Sequence, residues 1–537
     1  MVTGSSRWNK LSSRWLLQLW VAAQLCTGAH AQETLELEVR AGDTLIGISQ
    51  RLLDSPQRWP ELKTLNRITK DRRLRPGSLL RIPLDWLRWS ELPAEVVYVH
   101  GVVTGNNGPL APGMRLKAGD SLDTGAQGSL TLRLPDGAVV VFAPMTRAAL
   151  GVLRQAEGTA IRATSIELRG GALDTTATPL QQPASRFEVR TPRVVTAVRG
   201  TRFRVALEGD VSRHEVVSGL VAVTGATPQE TRVAPGQGLR ANAGLLGAVV
   251  PLLGAPDLSG VPPLVERTAQ PLQVAPMPAA AGWRWQVAAD GGFTQLLQDA
   301  KTRVPVWVLT GLADGDYHLR VRAFDPQELE GKEAQLAVAL RARPEPPLQI
   351  APPPGASVTS GAALVWGELA GATTYRLQVA RDAKFTELLY DAPVAASRLP
   401  IDAAWSPGQY HWRVATQRPD GSRGPFGDPG SFTLLAPSAV APPQVGDGGL
   451  RLSWSGPAGF GHRVQLSRDA EFSATEFDQV VPGASLELPS PEPGVHYVRM
   501  QLVLPDGGSG PWSTAQRFEV PKKHPWLLLL LLLLPLL

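Results

Sequence analysis

Three segments of the chain repeat one another, and this internal repeat constrains the fold more than any other feature. The segments "WRWQVAADGGF" from 283, "YRLQVARDAKF" from 375 and "HRVQLSRDAEF" from 462 superpose residue by residue. Their closing residues, Phe293, Phe385 and Phe472, are separated by 92 and 87 residues. A period of that length matches a small β-sandwich domain. The repeat therefore predicts three consecutive sandwich modules.

Each repeat continues into a second shared segment, which is "GDYHLRVRAFD" from 315, "GQYHWRVATQ" from 408 and "GVHYVRMQLV" from 494. An early strand carries Trp366 and Trp454 in the last two units, where the first has Val274. These units resemble fibronectin type III domains, which implies a buried tryptophan, a tyrosine-bearing late strand and a "G-x-G-P" turn. Their proline-rich borders predict an extended stalk. The predicted bounds are 271–344, 347–436 and 440–520.

The first 31 residues are typical of an export signal. Arg7, Lys10 and Arg14 precede the apolar run "WLLQLWVAAQL", and "AHA" offers small residues for cleavage. We expect the mature chain to begin at Gln32, in the periplasm or cell envelope.

The only cysteine, Cys26, lies within this predicted signal and lacks the small residue that lipidation needs directly before it. The mature chain is therefore expected to have no disulfide. Loss of three positive charges lowers the formal net charge from +5 to about +2. An exported, nearly neutral chain is not typical of a nucleic-acid-binding protein.

One basic stretch, "TPRVVTAVRGTRFRV" at 191–205, needs a separate explanation. Arg202 and Arg204 alternate with Phe203 and Val205, which is the period of a half-buried strand. We interpret its charged side as a solvated face, because runs of charge usually face water. The alternative is a site for an anion or an acidic partner.

The segment 37–83 has the pattern of a strand, two short helices and a second strand. A turn at Gly42 ends the first strand, and Asp43 or Thr44 can then cap a helix by accepting its free amide hydrogens. A second helix is predicted over 59–65, and "SLLRIP" returns as a strand. The first helix places three apolar residues on one side: Leu45, Ile48 and Leu52.

Three motifs in this segment, "GDTL", "ELKTLN" and "LRPGSLLRIP", resemble the LysM domain in order and spacing. The resemblance implies binding of N-acetylglucosamine polymers such as peptidoglycan, through the loop after the first strand and the loop before the second. The alternative is that these residues only shape the fold, since tight turns require glycine. We assign the LysM-like module to 32–90. The implied glycan-binding residues are Gly42, Asp43, Thr44, Leu45, Leu74, Arg75, Pro76 and Gly77.

Strand signals fill the chain from 96 to about 243. "GSLTLRLPDGAVVVFAP" at 128–144 is two apolar runs joined by "PDG", which predicts a hairpin. This motif and "TPRVVTAVRGTRFRV" followed by "EVVSGLVAV" resemble the FecR family. The resemblance implies that Gly200 and Thr201 form the turn and the hydrogen-bonding corner between two strands. It also implies an extracytoplasmic interaction role. We assign the FecR-like domain to 94–244; because no internal membrane span precedes it, relay to a cytoplasmic regulator is not expected.

Two further segments have unusual composition. Residues 245–270 are rich in proline, glycine and leucine and are predicted to be a linker. The tail 521–537 has a leucine run of eleven positions broken by Pro535, shorter than the about 20 residues of a spanning helix. It is interpreted as a weak membrane anchor or processing signal, or else as a tail that is buried in a partner or disordered.

No motif for catalysis, metal or cofactor is evident, including "HExxH", "GxSxG" and a phosphate loop. His318 and His411 occupy equivalent outward positions of two repeats, and a shared scaffold position is a poor place for a unique catalyst. His462, His496 and His524 have no acidic partner at a recognisable spacing. We predict no enzyme activity and no cofactor, although two carboxylates from distant segments could form a site that one sequence does not reveal.

The sequence thus predicts a multidomain, mainly β protein with a βααβ module, a β-rich domain and three β-sandwich modules. We interpret it as a non-enzymatic envelope protein that binds peptidoglycan and presents the FecR-like domain to an unknown envelope protein. One alternative is an extracytoplasmic signalling component, which a neighbouring sensor-kinase or sigma-factor gene would favour. Another is a wall-remodelling enzyme, which cleavage of peptidoglycan would reveal.

Overall fold

The computed structural model describes residues 34–69, 74–177, 182, 184–198, 200–372, 374–446 and 448–522. The predicted signal peptide with Cys26, the "KDRR" segment, Arg199 and the leucine run lie outside these residues. The described residues form two compact units. Unit 1 runs up to Pro262 and adds Leu272–Trp307 and Asp316–Val338, whereas unit 2 comprises Pro263–Pro271, Val308–Gly315 and the residues from Ala339.

The N-terminal module of unit 1 confirms the predicted order of a strand, two helices and a strand. Thr44 caps the first helix, and its Oγ1 accepts a hydrogen bond from the Gly47 amide at 3.0 Å. The predicted apolar side of this helix is buried. No helix in the described ranges is long and apolar enough to span a bilayer. The elements are β1 Thr34–Glu38, α1 Leu45–Leu52, a 3-10 turn Pro56–Arg58, α2 Trp59–Leu65, β2 Leu79–Pro83 and a 3-10 turn Leu84–Trp86.

The FecR-like region consists of short strands around one apolar core. Its sheets extend beyond the predicted bounds 94–244, because the strand Gln237–Asn242 also pairs with two strands at the start of the segment predicted to be a linker. The predicted "PDG" hairpin is confirmed, since β9 and β10 pair across it. The strands are β3 Trp89–Glu91, β4 Ala94–His100, β5 Thr104–Gly105, β6 Gly108–Pro109, β7 Arg115–Leu116, β8 Ser121–Asp123, β9 Ser129–Arg133, β10 Val139–Phe142, β11 Arg147–Ala156, β12 Arg162–Thr176, β13 Arg186–Arg190, β14 Val195–Val198, β15 Arg202–Glu208, β16 Val211–Ser218, β17 Val221–Thr224, β18 Glu230–Val233, β19 Gln237–Asn242, β20 Leu245–Leu246 and β21 Val250–Pro251.

Two sheets enclose this core, and β12 belongs to both. Its second half pairs with β10 and β15 in sheet I, which also contains β4, β9, β16 and β19. Its first half pairs with β11 and β13 in sheet II, which continues through β14, β17 and β18. The change occurs at Gly171, which has φ +87°. A Cβ there would lie 2.5 Å from the Thr146 Cα, so the crossing requires glycine.

The first fibronectin-like module contributes most of its residues to unit 1. Its strand β24 pairs antiparallel with both β25 and β27. Trp285, Leu319 and Val274 are buried, so Val274 occupies an interior position as the repeat predicted. The strands are β22 Leu264–Val265, β23 Gln270–Gln273, β24 Gly282–Ala288, β25 Leu296–Thr302, β26 Val306–Leu309, β27 Gly315–Phe324 and β28 Glu330–Leu340.

The second and third modules lie in unit 2, each with two sheets around a tryptophan. Trp366 and Trp454 are buried, as predicted. The second module has β29 Gln349–Ala351, β30 Ala356–Val358, β31 Ala363–Trp366, β32 Thr374–Ala380, β33 Leu388–Val394, β34 Arg398–Pro400, β35 Gly408–Gln417 and β36 Gly430–Leu434. The third has β37 Ala439–Val440, β38 Gln444–Gly446, β39 Gly449–Ser455, β40 Gly461–Ser467, β41 Thr475–Pro482, β42 Ser485–Leu488, β43 Gly494–Val503, β44 Ser509–Trp512 and β45 Gln516–Val520.

Candidate functional site

The two loops implied to bind glycan lie side by side at one end of the antiparallel pair of β1 and β2. The Gly77 amide donates to the Val39 carbonyl at 2.8 Å, and the Val39 amide donates to the Ser78 carbonyl at 2.9 Å. Gly42 and Gly77 have φ of +90° and +81°, a region that glycine adopts without strain. The structure thus brings the eight implied residues into one place, which we call the LysM groove: residues 39–46 and 74–79.

Polar side chains of the first loop are engaged within the loop itself. Asp43 accepts a hydrogen bond from the Arg40 amide at 2.9 Å and lies 3.7 Å from the Arg51 guanidinium. Thr44 caps α1, and the Ser78 hydroxyl donates to the Arg75 carbonyl at 2.6 Å. These contacts fix the loop shape, and the groove offers exposed backbone together with the exposed side chains of Arg40 and Arg75.

The apolar part of the groove differs from the part implied by the family pattern. Leu45 is only 1% exposed and packs in the module core, where Leu74 is also partly buried. Leu45 therefore cannot offer its side chain to a ligand. The exposed apolar side chains next to the loops are Ile46 at 49% and Leu79 at 61%. Strand alternation could have revealed Leu79, since its neighbour Leu80 is buried.

The FecR-like region completes the core of the N-terminal module. Ala156 and Ile161, at the tip of the β11–β12 hairpin, belong to the same apolar cluster as the α1 leucines. Arg88 donates to the Leu53 carbonyl at 2.9 Å and lies 3.7 Å from Glu157. These contacts fix the LysM groove to the FecR-like sheets within unit 1.

The basic strand β15 alternates as predicted, but its charged face does not meet water. Phe203 and Val205 lie in the core, whereas Arg202 and Arg204 lie on the opposite face of sheet I. Arg204 is 4% exposed and donates to the Glu330 carbonyl of the first fibronectin-like module at 2.6 Å. The prediction of a solvated face is therefore wrong for Arg204. Arg204 is paired within the chain instead, since its Nε lies 3.4 Å from the Glu215 carboxylate.

The polar faces of sheet I and of the first module meet in a buried network of charges. Arg322 reaches Asp174 of β12 at 2.7 Å and Glu330 at 3.0 Å. Arg320 also reaches Asp174, at 2.9 Å. The Glu330 amide donates to Glu215 at 3.1 Å. We define the buried network by four arginines and four carboxylates: Arg204, Arg284, Arg320, Arg322, Asp174, Glu215, Asp299 and Glu330.

Uncharged contacts extend the same interface along β9. The hydroxyls of Ser129 and Thr131 donate to the carbonyls of Leu296 and Thr294, each at 2.6 Å. These pairs satisfy much of the buried hydrophilic face, although Arg322 Nε and Arg204 Nη1 have no hydrogen-bond partner in the described part of the chain.

Burial and neighbouring charges shift the network's pKa values in opposite directions. Burial raises the pKa of Glu215 above its ordinary value. Burial also opposes ionisation of Asp174, but Arg322 and Arg320 outweigh it and hold that pKa well below its usual range. Burial lowers the pKa of Arg320 to about 9. Asp174 is therefore a fixed anion, whereas Glu215 is the carboxylate whose ionisation is disfavoured.

The corner at Gly200 forms as the FecR resemblance implied, with φ +66° between β14 and β15. The hydrogen bond there comes from backbone, since the Ala177 amide donates to the Thr201 carbonyl at 2.9 Å. The Thr201 hydroxyl has no hydrogen-bond partner among the described residues.

The buried histidines make structural contacts. His214 lies 2.8 Å from the Thr196 hydroxyl, and burial lowers its pKa to about 3, so it is neutral. His496 departs from the sequence expectation, because its Nδ1 lies 2.9 Å from Glu476 on another strand. The two residues meet because their strands lie in the same sheet, and a spacing in the sequence does not reveal this. Within the described ranges, no three His, Cys, Asp or Glu residues are grouped to hold a metal ion.

Two family models match the chain: the LysM domain over residues 37–83 and FecR protein over residues 120–222. By class, the molecule is a mainly β multidomain protein whose repeated modules each contain two β-sheets. More particularly, it carries a LysM domain and a FecR-family domain, as the sequence motifs predicted. LysM domains generally bind peptidoglycan. Both families are typical of envelope or extracytoplasmic proteins and are typically non-enzymatic.

Solved structures with similarity to the chain include two of a protein assigned as an anti-sigma factor from Parabacteroides distasonis. They are 21% and 20% identical, cover 24% of this chain and 57% of that chain, and have TM-scores of 0.20. This chain thus spans about 57% of their length. The chicken CNTN1 FN1–FN3 domains are 16% identical, with 48% of this chain and 96% of that chain covered and a TM-score of 0.20. No curated protein matches the chain.

Proposed function

We propose that this protein is a non-enzymatic component of the cell envelope that binds peptidoglycan through the LysM groove. The observation that carries the proposal is the adjacency of the two loops, each with a glycine in the left-handed region. No atom lies within 4 Å of a Cβ built on Gly42 or Gly77, so both positions have open space beside the backbone. A glycan chain could approach this backbone closely.

The groove suits the chemistry of an N-acetylated sugar polymer. Such a polymer offers amides, hydroxyls and methyl groups, so a site needs exposed backbone donors and acceptors beside a small apolar surface. The loop backbone supplies the hydrogen-bond donors and acceptors, and Ile46 and Leu79 supply the apolar surface. Charge is a minor part of this contact, and binding should persist at high salt.

We further propose that the FecR-family domain acts through its protein contacts, with the first module as a partner within the chain. The buried network and the shared core with the LysM domain hold three domains of unit 1 together. A glycan-bound LysM groove would then hold the FecR-family domain close to the cell wall. The alternative of a signalling role is supported by the FecR match over residues 120–222.

The test is a pull-down of the protein on insoluble peptidoglycan at low and high salt. The complete chain after residue 31 is used, because FecR-like residues complete the LysM core. Gly77→Val forces a β-branched residue to φ +81° and should weaken binding about tenfold by reshaping the loop. Gly113→Val is the matched control, since Gly113 has φ +86° and equally open surroundings in the FecR-like region.

Three outcomes separate the hypotheses. Loss of binding for Gly77→Val but not for Gly113→Val, at both salt concentrations, supports the LysM groove. Binding that disappears in high salt yet survives Gly77→Val would assign the contact to the "KDRR" segment instead. Release of soluble glycan fragments during the incubation would contradict the non-enzymatic role.

A further inference from the structure

One set of five side chains recurs on the same sheet of all three fibronectin-like modules. A first arginine pairs with an aspartate, a glutamine joins that aspartate to a second arginine, and the second arginine lies over a phenylalanine ring. We call this set the arginine cradle. Its members are Arg284, Gln286, Phe293, Asp299 and Arg320 in the first module; Arg376, Gln378, Phe385, Asp391 and Arg413 in the second; and Arg463, Gln465, Phe472, Asp478 and Arg499 in the third.

The three cradles have almost the same geometry. The second arginine donates its Nε hydrogen to the glutamine Oε1 at 2.9, 2.8 and 2.9 Å in chain order. Its guanidinium carbon lies 4.2, 4.1 and 4.1 Å from the phenylalanine ring centroid. Each phenylalanine sits in a turn with positive φ, at +55°, +60° and +58°. Backbone strain of this kind persists only where the surrounding structure fixes it, so the phenylalanine ring beneath the guanidinium is held in place.

In the first module, the cradle holds a carboxylate from another domain. The Arg320 Nη2 donates to the Asp174 Oδ2 at 2.9 Å, while its Nε remains bonded to Gln286. Asp174 projects from the strand β12 of sheet I. The chain therefore contains one occupied example of the cradle, and the occupant is an aspartate on the surface of a β-sheet.

The cradle of the third module lacks such an occupant. No carboxylate of the described chain lies within 4 Å of the Arg499 guanidinium, whose only side-chain hydrogen bond goes to Gln465. A second ring, that of Trp512, lies 4.4 Å from the guanidinium carbon, so Arg499 is stacked between two aromatic rings. Arg463 and Asp478 beside it are 44% and 25% exposed, against 7% for both members of the equivalent pair in the first module.

The second module differs at this position. Arg413 is also stacked between two rings, Phe385 and Phe426. Burial and the nearby Arg423 lower the pKa of Arg413, while the carboxylate of Glu266, from the segment ahead of the module in unit 2, acts in the opposite direction. The third module is thus the clearest case of a preformed cradle whose second arginine has no carboxylate within 4 Å among the described residues.

We propose that the arginine cradle of the third module is a docking site for a partner protein, which inserts an aspartate or glutamate from a β-strand. Charge complementarity supports this occupant, because a guanidinium forms its strongest hydrogen bonds with carboxylates. The occupied cradle of the first module supports the strand. Stacking on Phe472 and Trp512 fixes the guanidinium in advance, so little side-chain freedom is lost on binding.

The test uses the complete chain and a labelled, end-blocked peptide of residues 171–177, "GALDTTA", whose only charged side chain is the aspartate that occupies the first cradle. Fluorescence anisotropy measures its Kd. We expect the asparagine version of the peptide to bind about tenfold more weakly, since hydrogen bonds to charged groups are the stronger ones. Arg499→Gln should cause a similar loss. Trp512→Phe should retain most of the affinity, because Phe426 has this place in the second module.

The matched control is Arg517→Gln, which removes an exposed arginine from the same module without touching the cradle. It should change the Kd by less than twofold. If Arg499→Gln unfolds the module, Arg499→Lys keeps the charge and loses the planar donor edge, and it should still weaken binding several-fold.

Three results would overturn the proposal. They are equal affinity for the aspartate and asparagine peptides, an equal loss for Arg517→Gln and Arg499→Gln, or competition by inorganic phosphate at concentrations as low as the peptide's own Kd. The last would describe a general anion site rather than a protein-docking site.

Discussion

The first and third fibronectin-like modules carry the same arginine cradle in opposite environments. The Arg284 and Asp299 side chains are each 7% exposed, whereas the equivalent Arg463 and Asp478 are 44% and 25% exposed. A repeated strand pattern can therefore produce a buried interface in one module and an open surface in another.

One substitution within the repeat accounts for much of the difference. Where the first module has Arg322, the second has Ala415 and the third has Gln501. Arg322 is 1% exposed and contacts Asp174 and Glu330. A buried charge is tolerated only with good partners, whereas an exposed pair contributes little. The comparison thus predicts that equivalent substitutions have unequal effects.

The largest expected effect comes from a core residue of the third module, which has no charged interface of this kind. Trp454→Ala should lower the free energy of unfolding of that module by about 3 to 5 kcal/mol, the usual cost of deleting a buried aromatic side chain. Trp454 is 5% exposed and donates to the Gly483 carbonyl at 3.0 Å. Hydrogen exchange of β39 and β43 reports the change. Equal loss of protection in the second module would contradict separate module cores.

The next effect is expected at the buried network. Arg322→Gln leaves Asp174 and Glu330 without a main partner, and it should destabilise the interface by about 3 kcal/mol. Hydrogen exchange should rise in both β12 and β27, because Arg322 of β27 contacts Asp174 of β12 across the interface. Faster exchange in β27 alone would show that Arg322 stabilises only its own module, and the comparison would fail.

A smaller, pH-dependent effect is expected from Glu215. Its pKa is raised by burial, so the folded protein binds its proton more tightly than the unfolded chain does. The free energy of unfolding of unit 1 should therefore fall as pH rises above about 4.5 towards neutrality. Asp174 and Glu330 have lowered pKa values, and their contribution is lost as pH falls below about 4.

Glu215→Gln tests this assignment through urea unfolding at several pH values. The variant should lose the decline between about pH 5 and pH 7 while keeping the decline at acid pH. An unchanged profile on the neutral side would mean that another group titrates there. Glu487→Gln is a suitable control, because Glu487 is 69% exposed in the third module.

The smallest effect is expected for the exposed counterpart in the third module. Arg463→Gln breaks the pair with Asp478, whose atoms lie 2.7 Å apart, yet it should cost less than about 1 kcal/mol because water screens both groups. Thermal unfolding is sufficient to measure it. A loss as large as that of Arg322→Gln would remove the distinction between the two modules.

Local patterns in the sequence predicted much of the fold. The repeat gave the three modules and their buried tryptophans, and the "GDTL" and "LRPG" motifs located the two loops that form the LysM groove. The burial of Leu45 could not be read from the motif alone, because its exposure depends on how α1 packs against β1 and β2. The exposure of Ile46 depends on the same packing, whereas that of Leu79 follows from strand alternation. The pair His496 and Glu476 was also missed, since strand order joins them.

The sequence by itself determined the alternation of β15, with Phe203 and Val205 on one face and Arg202 and Arg204 on the other. Successive side chains of a strand point to opposite faces, so this result needs no knowledge of the partner. What covers the charged face was decided only by the tertiary structure, which places Glu333 beside Arg202 and the Glu330 carbonyl beside Arg204. Arg204 and Glu330 are more than a hundred positions apart along the chain, and no local pattern encodes their meeting. The charged face of β15 would be exposed to solvent without the first module, and it forms an interface when that module is present.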